Sequence, residues 1–301
     1  MSESDKRLAQ LLSEELARYK SIYVPVKSSL LRRALIRKVR CKKLHPNPND
    51  EFCLPEVGPN YAIISKYEQQ FLSPKTVGYT GGLKYSEDDE ALTIERIRPD
   101  GYMILNGHHR WAAAYRIGKR RVPVKIVNLT HEEDILASLH KSSNTRRVTL
   151  DLDEVVFRNQ KGAASEKQLP FPLSLRFREP LRLGVPALFR FLKRNGYDVW
   201  VYTSKYASVD YLNHYFKAYR TWVSGVVTGM SRNKGSMSSG SMEKLLRGRY
   251  TVTVHIDRDT VLRVDSHTRQ YQEFRLSGSP TAWSQEIMDI FEGFDSHEQA
   301  D

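Results

Sequence analysis

Residues 147–157, RVTLDLDEVVF, place two carboxylates, Asp151 and Asp153, one residue apart directly after a β-branched run. Val148, Thr149 and Leu150 suit a buried strand, but like charges at its mouth repel and raise each other's pKa unless a cation stands between them. A bound metal ion answers that requirement. Outward from this pair, VPALFRFLKRNG (185–196) has helical apolar spacing and a closing glycine, and YDVWVYTS (197–204) reads as a buried strand. RYTVTVHID (249–257) reads as another strand, ending in an acid. Strand alternating with helix predicts an α/β fold with a parallel sheet, whose working edge lies at the strand C-termini.

Upstream, the helix-like THEEDILASLH (130–140) and the polar KSSNTRR (141–147) put a boundary near residue 145, giving units 1–145 and 146–301. In the first unit, ALTIERIRPDGYMILNG (91–107) reads as a hairpin turning at Pro99, Asp100 and Gly101. HHRWAAAYRIG (108–118) follows as a helix stopped by Gly118, and RRVPVKIVNL (120–129) as a strand. This half is α+β. The stretch NKGSMSSGSM (233–242) reads as a loop ahead of a short helix.

The formal net charge is +12 over 301 residues. Residues 1–145 carry 24 basic and 17 acidic side chains, which leaves +7 there and +5 in the rest. A pI near 9.6 favours anionic, phosphorylated partners such as nucleotides or nucleic acid. Cys41 and Cys53 are too few for a disulfide scaffold or a zinc site, and they read as structural filler in a reducing compartment. The opening MSESDKRLAQLLSEELARYK is a charged amphipathic helix without the apolar core of a signal peptide, and no apolar run is long enough to span a bilayer, so the expected location is cytoplasmic. Seven cations between Arg32 and Lys43 fit either a solvated helix leading into a strand or a surface that steers nucleic acid.

Gly107 allows a tight turn, and the helix that opens after it offers free N–H groups beside Arg110, a natural phosphate seat. With LNGHHRWAAAYRIGKRRVPVKIV, residues 20–128 resemble the ParB/sulfiredoxin-like fold, in which a Gly-x-His-Arg turn ahead of a helix binds nucleotide phosphates. The resemblance implies that Gly107, His108, His109 and Arg110 hold ADP, ATP or another nucleotide. His108 stands where sulfiredoxins carry their catalytic Cys, which argues against sulfinic-acid reduction. No helix-turn-helix pattern follows, which weakens a partitioning role. In the family's kinase branch an upstream carboxylate acts as base, and Asp50, Glu51 and Glu56 lie upstream here, with Glu51 taken into the site.

The second half resembles the haloacid dehalogenase-like (HAD) phosphatase superfamily. Asp151-Leu-Asp153-Glu-Val155 matches its Asp-x-Asp motif, and Thr203, with Ser204 beside it, matches the strand-end hydroxyl. Lys234, or else Lys244, matches the site lysine, and Asp257 matches the later metal-binding acid, although Arg258 and Asp259 follow where two adjacent acids are common. The resemblance covers 146–295 and implies a Rossmannoid sheet with no large cap, because only RNQKGAASEKQLPFPLSLRF (158–177) separates the first motif from the helix before the second strand. It further implies an Mg²⁺-dependent phosphohydrolase or phosphotransferase acting through an aspartyl phosphate. Asp151 would be the nucleophile, Asp153 the acid/base, Thr203 and Lys234 the phosphoryl-oxygen contacts, and Asp151, Asp257 and the backbone carbonyl of Asp153 the metal ligands. The expected partners are a phosphorylated substrate and a nucleotide. The competing expectation is a non-catalytic, ParB-like nucleic-acid-binding or regulatory protein whose HAD scaffold is degenerate.

Overall fold

The computed structural model describes residues 3–19, 23–73, 91–157, 164–229, 244–246, 248–266, 268, 270–279 and 281–298. The chain is mixed α/β, with two separate six-stranded sheets, and divides into compact units at 1–128 and 129–301. Among the described residues no helix is long and apolar enough to cross a membrane.

Unit 1 runs α1 (Glu3–Tyr19), β1 (Val24–Pro25), α2 (Leu30–Leu35), β2 (Lys38–Arg40), β3 (Leu44–Pro46), α3 (Tyr61–Leu72), β4 (Leu92–Arg98), β5 (Tyr102–Asn106), α4 (His108–Arg116) and β6 (Arg121–Val127). Its sheet has the order β2-β6-β4-β5-β3, and β1 pairs with the end of β4. β4 and β5 form the expected antiparallel hairpin, while β6 returns parallel to β4. The hairpin turn depends on Gly101, at φ +90°, where an added Cβ would sit 2.6 Å from His45 Nε2 and from the Lys43 carbonyl oxygen. Alternate residues of β4, β5 and β6 point inward, so Leu92, Ile94, Ile104, Val122, Val124 and Ile126 join Trp111 and the alanines of α4 in one core.

Unit 2 runs α5 (Glu132–His140), β7 (Arg146–Asp151), a π-helical turn (Leu152–Val156), α6 (Leu173–Arg176), α7 (Val185–Arg194), β8 (Tyr197–Thr203), α8 (Val209–Ala218), β9 (Gly225–Thr228), β10 (Val252–Ile256), β11 (Thr260–Asp265), β12 (Tyr271–Arg275) and α9 (Trp283–Glu298). The sheet order is β12-β11-β10-β7-β8-β9. Its four strands β10, β7, β8 and β9 are parallel, and β11 and β12 add an antiparallel edge. Val148, Leu150, Val199 and Val201 are buried with Leu188 and Leu192 of α7 and Ile287 and Phe291 of α9. A second apolar group joins Ile135 of α5 to Trp200, Val227, Leu246 and Tyr250. Helix α5, although it precedes the polar 141–147 stretch, is therefore packed into unit 2.

At the heart of that second group, the buried Asp198 carboxylate accepts hydrogen bonds from Ser142 Oγ (2.9 Å), Asn144 Nδ2 (3.1 Å), Ser224 Oγ (3.1 Å) and Tyr250 Oη (2.8 Å). Burial is the leading reason that the Tyr250 phenol is pushed well above its ordinary pKa. A saturated carboxylate of this kind fixes the start of β8, and so the position of that strand's far end.

Candidate functional site

Unit 2 brings its acids together where the parallel strands end. β7 closes on Asp151, and the chain then winds into the π-helical turn because the Asp151 side chain caps it: Oδ1 accepts from the N–H of Asp153 (2.8 Å) and of Glu154 (2.7 Å). That turn points Asp153 toward the end of β8. There the buried Thr203 hydroxyl donates to Asp153 Oδ2 at 2.6 Å, and Lys205 Nζ lies 2.6 Å from Asp153 Oδ1. The Lys205 backbone N–H in turn donates to Thr203 Oγ1 at 3.0 Å. Both oxygens of Asp153 are thus held by one strand end. The lysine's stem and head are largely in solvent, at 70% side-chain exposure, while Asp153 is mostly buried at 16%; the pairing orders the carboxylate more than it stabilises the fold.

Asp257 follows β10 on the other side of β7. Because Ile256 pairs with Leu150, Asp257 stands level with Asp151 on the neighbouring strand. It is exposed, and its Oδ1 accepts from the Arg258 N–H at 2.7 Å. Arg258 leans toward Asp259 at 3.5 Å. Ser204 is exposed, Lys244 is exposed in the helical turn at 244–246, and Lys234 lies outside the described residues. Among the described residues the cation that touches Asp153 is Lys205, which the sequence reading passed over. The chain bends at 204–205 after β8 ends, and that bend brings Lys205 back to the side of Thr203.

Among the described residues no three His, Cys, Asp or Glu side chains are grouped as a metal site. Two exposed carboxylates on adjacent strand ends, Asp151 and Asp257, remain a donor set suited to Mg²⁺, which keeps much of its water and needs only one or two protein carboxylates. Both carboxylate oxygens of Asp153 already have partners, which leaves its backbone carbonyl as the group that could join them.

In unit 1 the helix α4 begins at Gly107, which adopts φ +98° and approaches Leu92 so closely that an added Cβ would lie 2.6 Å from Leu92 Cδ2. The two histidines after it face the 47–60 loop. His108 is buried: its Nε2 accepts the Asn47 N–H at 3.1 Å, and its Nδ1 lies 3.4 Å from Asp50 Oδ1. An imidazole that accepts at Nε2 is neutral with its proton on Nδ1, and desolvation drives its pKa down to about 4 against the pull of Asp50. His109 Nε2 accepts the Asn60 N–H at 3.1 Å, and burial lowers its pKa as well. Phe52 lies between them, stacked on His108 at 5.6 Å and edge-on to His109 at 4.9 Å. Asp50 also caps the 3-10 turn that carries Phe52, accepting its N–H at 3.0 Å.

The histidine rings therefore fasten the loop over the start of α4, and the first-turn N–H groups, which have no intrahelical acceptor, are what a phosphate would meet. Arg110 sits over the Tyr67 ring at 5.2 Å, with Nη1 3.4 Å from the Ala91 carbonyl oxygen. Glu51 and Glu56 are exposed. Asn47, Asn60, Phe52 and Tyr67 are the residues that sequence reasoning missed here, and nothing in their local pattern marks them.

The ParB N-terminal domain family matches residues 87–143. Neither the curated proteins nor the solved structures yielded a significant match.

Proposed function

We propose that unit 2 is a phosphoryl-transfer enzyme of the HAD type and that unit 1 binds a nucleotide at the Gly107 turn. The observation that carries the first part is the clasp on Asp153: Thr203 and Lys205 from β8 hold both of its oxygens while Asp151, two residues earlier, is left exposed at the strand mouth. Asp151 Oδ2 attacks phosphorus and forms an acyl phosphate as the bond to the leaving oxygen breaks; Asp153, protonated when the substrate binds, gives its proton to that oxygen, becomes the carboxylate that Thr203 and Lys205 hold, and then takes a proton from the water that hydrolyses the intermediate. Lys205 supplies positive charge beside them. Asp151 and Asp257 would hold Mg²⁺, which supplies charge neutralisation for the phosphoryl oxygens.

For unit 1, the reading rests on the left-handed Gly107 at a helix start in a ParB-like segment, with Arg110 close by; ADP or ATP would place its phosphates on the first-turn N–H groups. The test of the hydrolase reading is Mg²⁺-dependent release of phosphate from para-nitrophenyl phosphate by the full chain. Asp151→Asn is expected to lower turnover by at least about a thousandfold, roughly 4 kcal/mol of barrier. Equal turnover in the variant rejects the assignment.

A second reading is favoured by the family match at 87–143: a ParB-like nucleic-acid-binding or regulatory protein in which the HAD scaffold is not catalytic. Nucleic-acid binding with a steep salt dependence and no turnover by the wild-type protein supports it.

A further inference from the structure

From 27 to 49 the chain carries eight lysines and arginines and no acid, and from 101 to 131 it carries six and again no acid. The fold joins these two stretches as neighbouring strands, since β2 pairs with β6. Val39, Val122 and Val124 point into the core, so the alternate residues Lys38, Arg40, Arg121 and Lys125 point out, and all four are exposed. The register sets Arg40 directly opposite Arg121. Like charges across a pair of strands are destabilising. The ion pairs of unit 1 include those of Arg7, Arg18, Lys43 and Arg116, and among the described residues none involves Lys38, Arg40, Arg121 or Lys125. Arg37 and Lys42, also exposed, extend the positive face at its ends.

We infer that the outer face of β2–β6 is a seat for the phosphate backbone of duplex DNA. It deepens the nucleic-acid reading by naming the surface, and it rests on that reading alone, independent of the carboxylate site. The repulsion between Arg40 and Arg121 is relieved by a polyanion. Arg121 and Lys125 span about 13 Å along β6, roughly four base pairs of backbone at about 3.4 Å each. Neither 37–43 nor 119–125 contains an aromatic residue on which an unpaired base could stack, which favours a duplex over a single strand.

The experiment is fluorescence anisotropy of a labelled 20-base-pair DNA duplex with the full chain between 50 and 200 mM NaCl. Contacts from four to six cations predict a slope of log affinity against log salt between about −3.5 and −5.5. The double variant Arg40→Gln/Arg121→Gln flattens that slope by about 2 and weakens binding at least tenfold at 100 mM, with a thermal midpoint equal to or above wild type because the repulsion is gone. Arg190→Gln, an exposed cation of unit 2, leaves binding unchanged. If wild type binds the duplex but the double variant binds equally well with the same slope, the surface is wrong while the nucleic-acid reading survives. If wild type binds no duplex at all, both fall. Tighter binding of the single strand or of an RNA duplex, or competition by polyglutamate as effective as by DNA, also overturns the assignment.

Discussion

Acidification separates a buried, structural His108 from one that meets an anion in solvent. In the folded chain its ring is almost fully enclosed, accepts the Asn47 N–H, and has its pKa depressed from 6.5 to about 4 by desolvation. In the unfolded chain the ring protonates at its ordinary value. Since the folded pKa is the lower one, the contribution of His108 to stability is fully present above pH 6.5 and is lost as pH falls from there toward 4. A difference of this size corresponds to about 3 kcal/mol at the acid end. The measurement is urea unfolding of the full chain at pH 7.5 and 4.5, for wild type and for His108→Gln, whose amide oxygen still accepts from Asn47 but does not titrate. Wild type is expected to lose about 3 kcal/mol more than the variant between the two pH values, in the transition that exposes Trp111. The His108 ring resonances in a carbon–proton correlation spectrum should stay in the neutral position down to pH 5. A titration near 6.5, or equal acid sensitivity in both proteins, refutes the burial argument.

Three further substitutions probe the framework around the two sites. Thr203→Val keeps the shape of a buried side chain but removes the donor to Asp153 and the acceptor of the Lys205 N–H, so a loss of about 2 kcal/mol in thermal unfolding is expected together with reduced turnover. Gly107→Ala forces a Cβ against Leu92 at positive φ and should cost about 2–4 kcal/mol while weakening ADP binding by calorimetry. Asp198→Leu strands four donors around one buried position, with an expected cost of about 3 kcal/mol by urea titration.

The strands β7, β8 and β10 were legible because a fully buried parallel strand is a short apolar run, and α7 because its apolar residues recur at helical spacing. The β4–β5 hairpin declared itself through Pro99, Asp100 and Gly101. β11 and β12 did not, since TVLRVD and YQEFR interleave charges with apolar residues on a half-exposed edge and give a weak alternation. The helical character of 132–140 was readable, but which unit it packs with depends on Ile135 meeting Trp200, a contact between residues far apart in sequence. At the sites, Asp151, Asp153, Thr203 and Asp257 were marked by their places at strand ends. The inward turn of His108 was not, because a glycine-led helix start looks the same in sequence whether its histidines face a phosphate or the N–H groups of a neighbouring loop.

The central claim is that Asp151 forms a covalent bond to phosphorus, and peptide mass spectrometry after rapid acid quench tests it most directly. The full chain is incubated with Mg²⁺ and para-nitrophenyl phosphate, quenched, digested and mapped. The account predicts a phosphoryl group on Asp151, absent from Asp151→Asn and accumulating in Asp153→Asn, where activation of the hydrolytic water is impaired. Phosphate release by wild type with no phosphoryl group on Asp151 in either wild type or Asp153→Asn, or with the group on another residue, contradicts it.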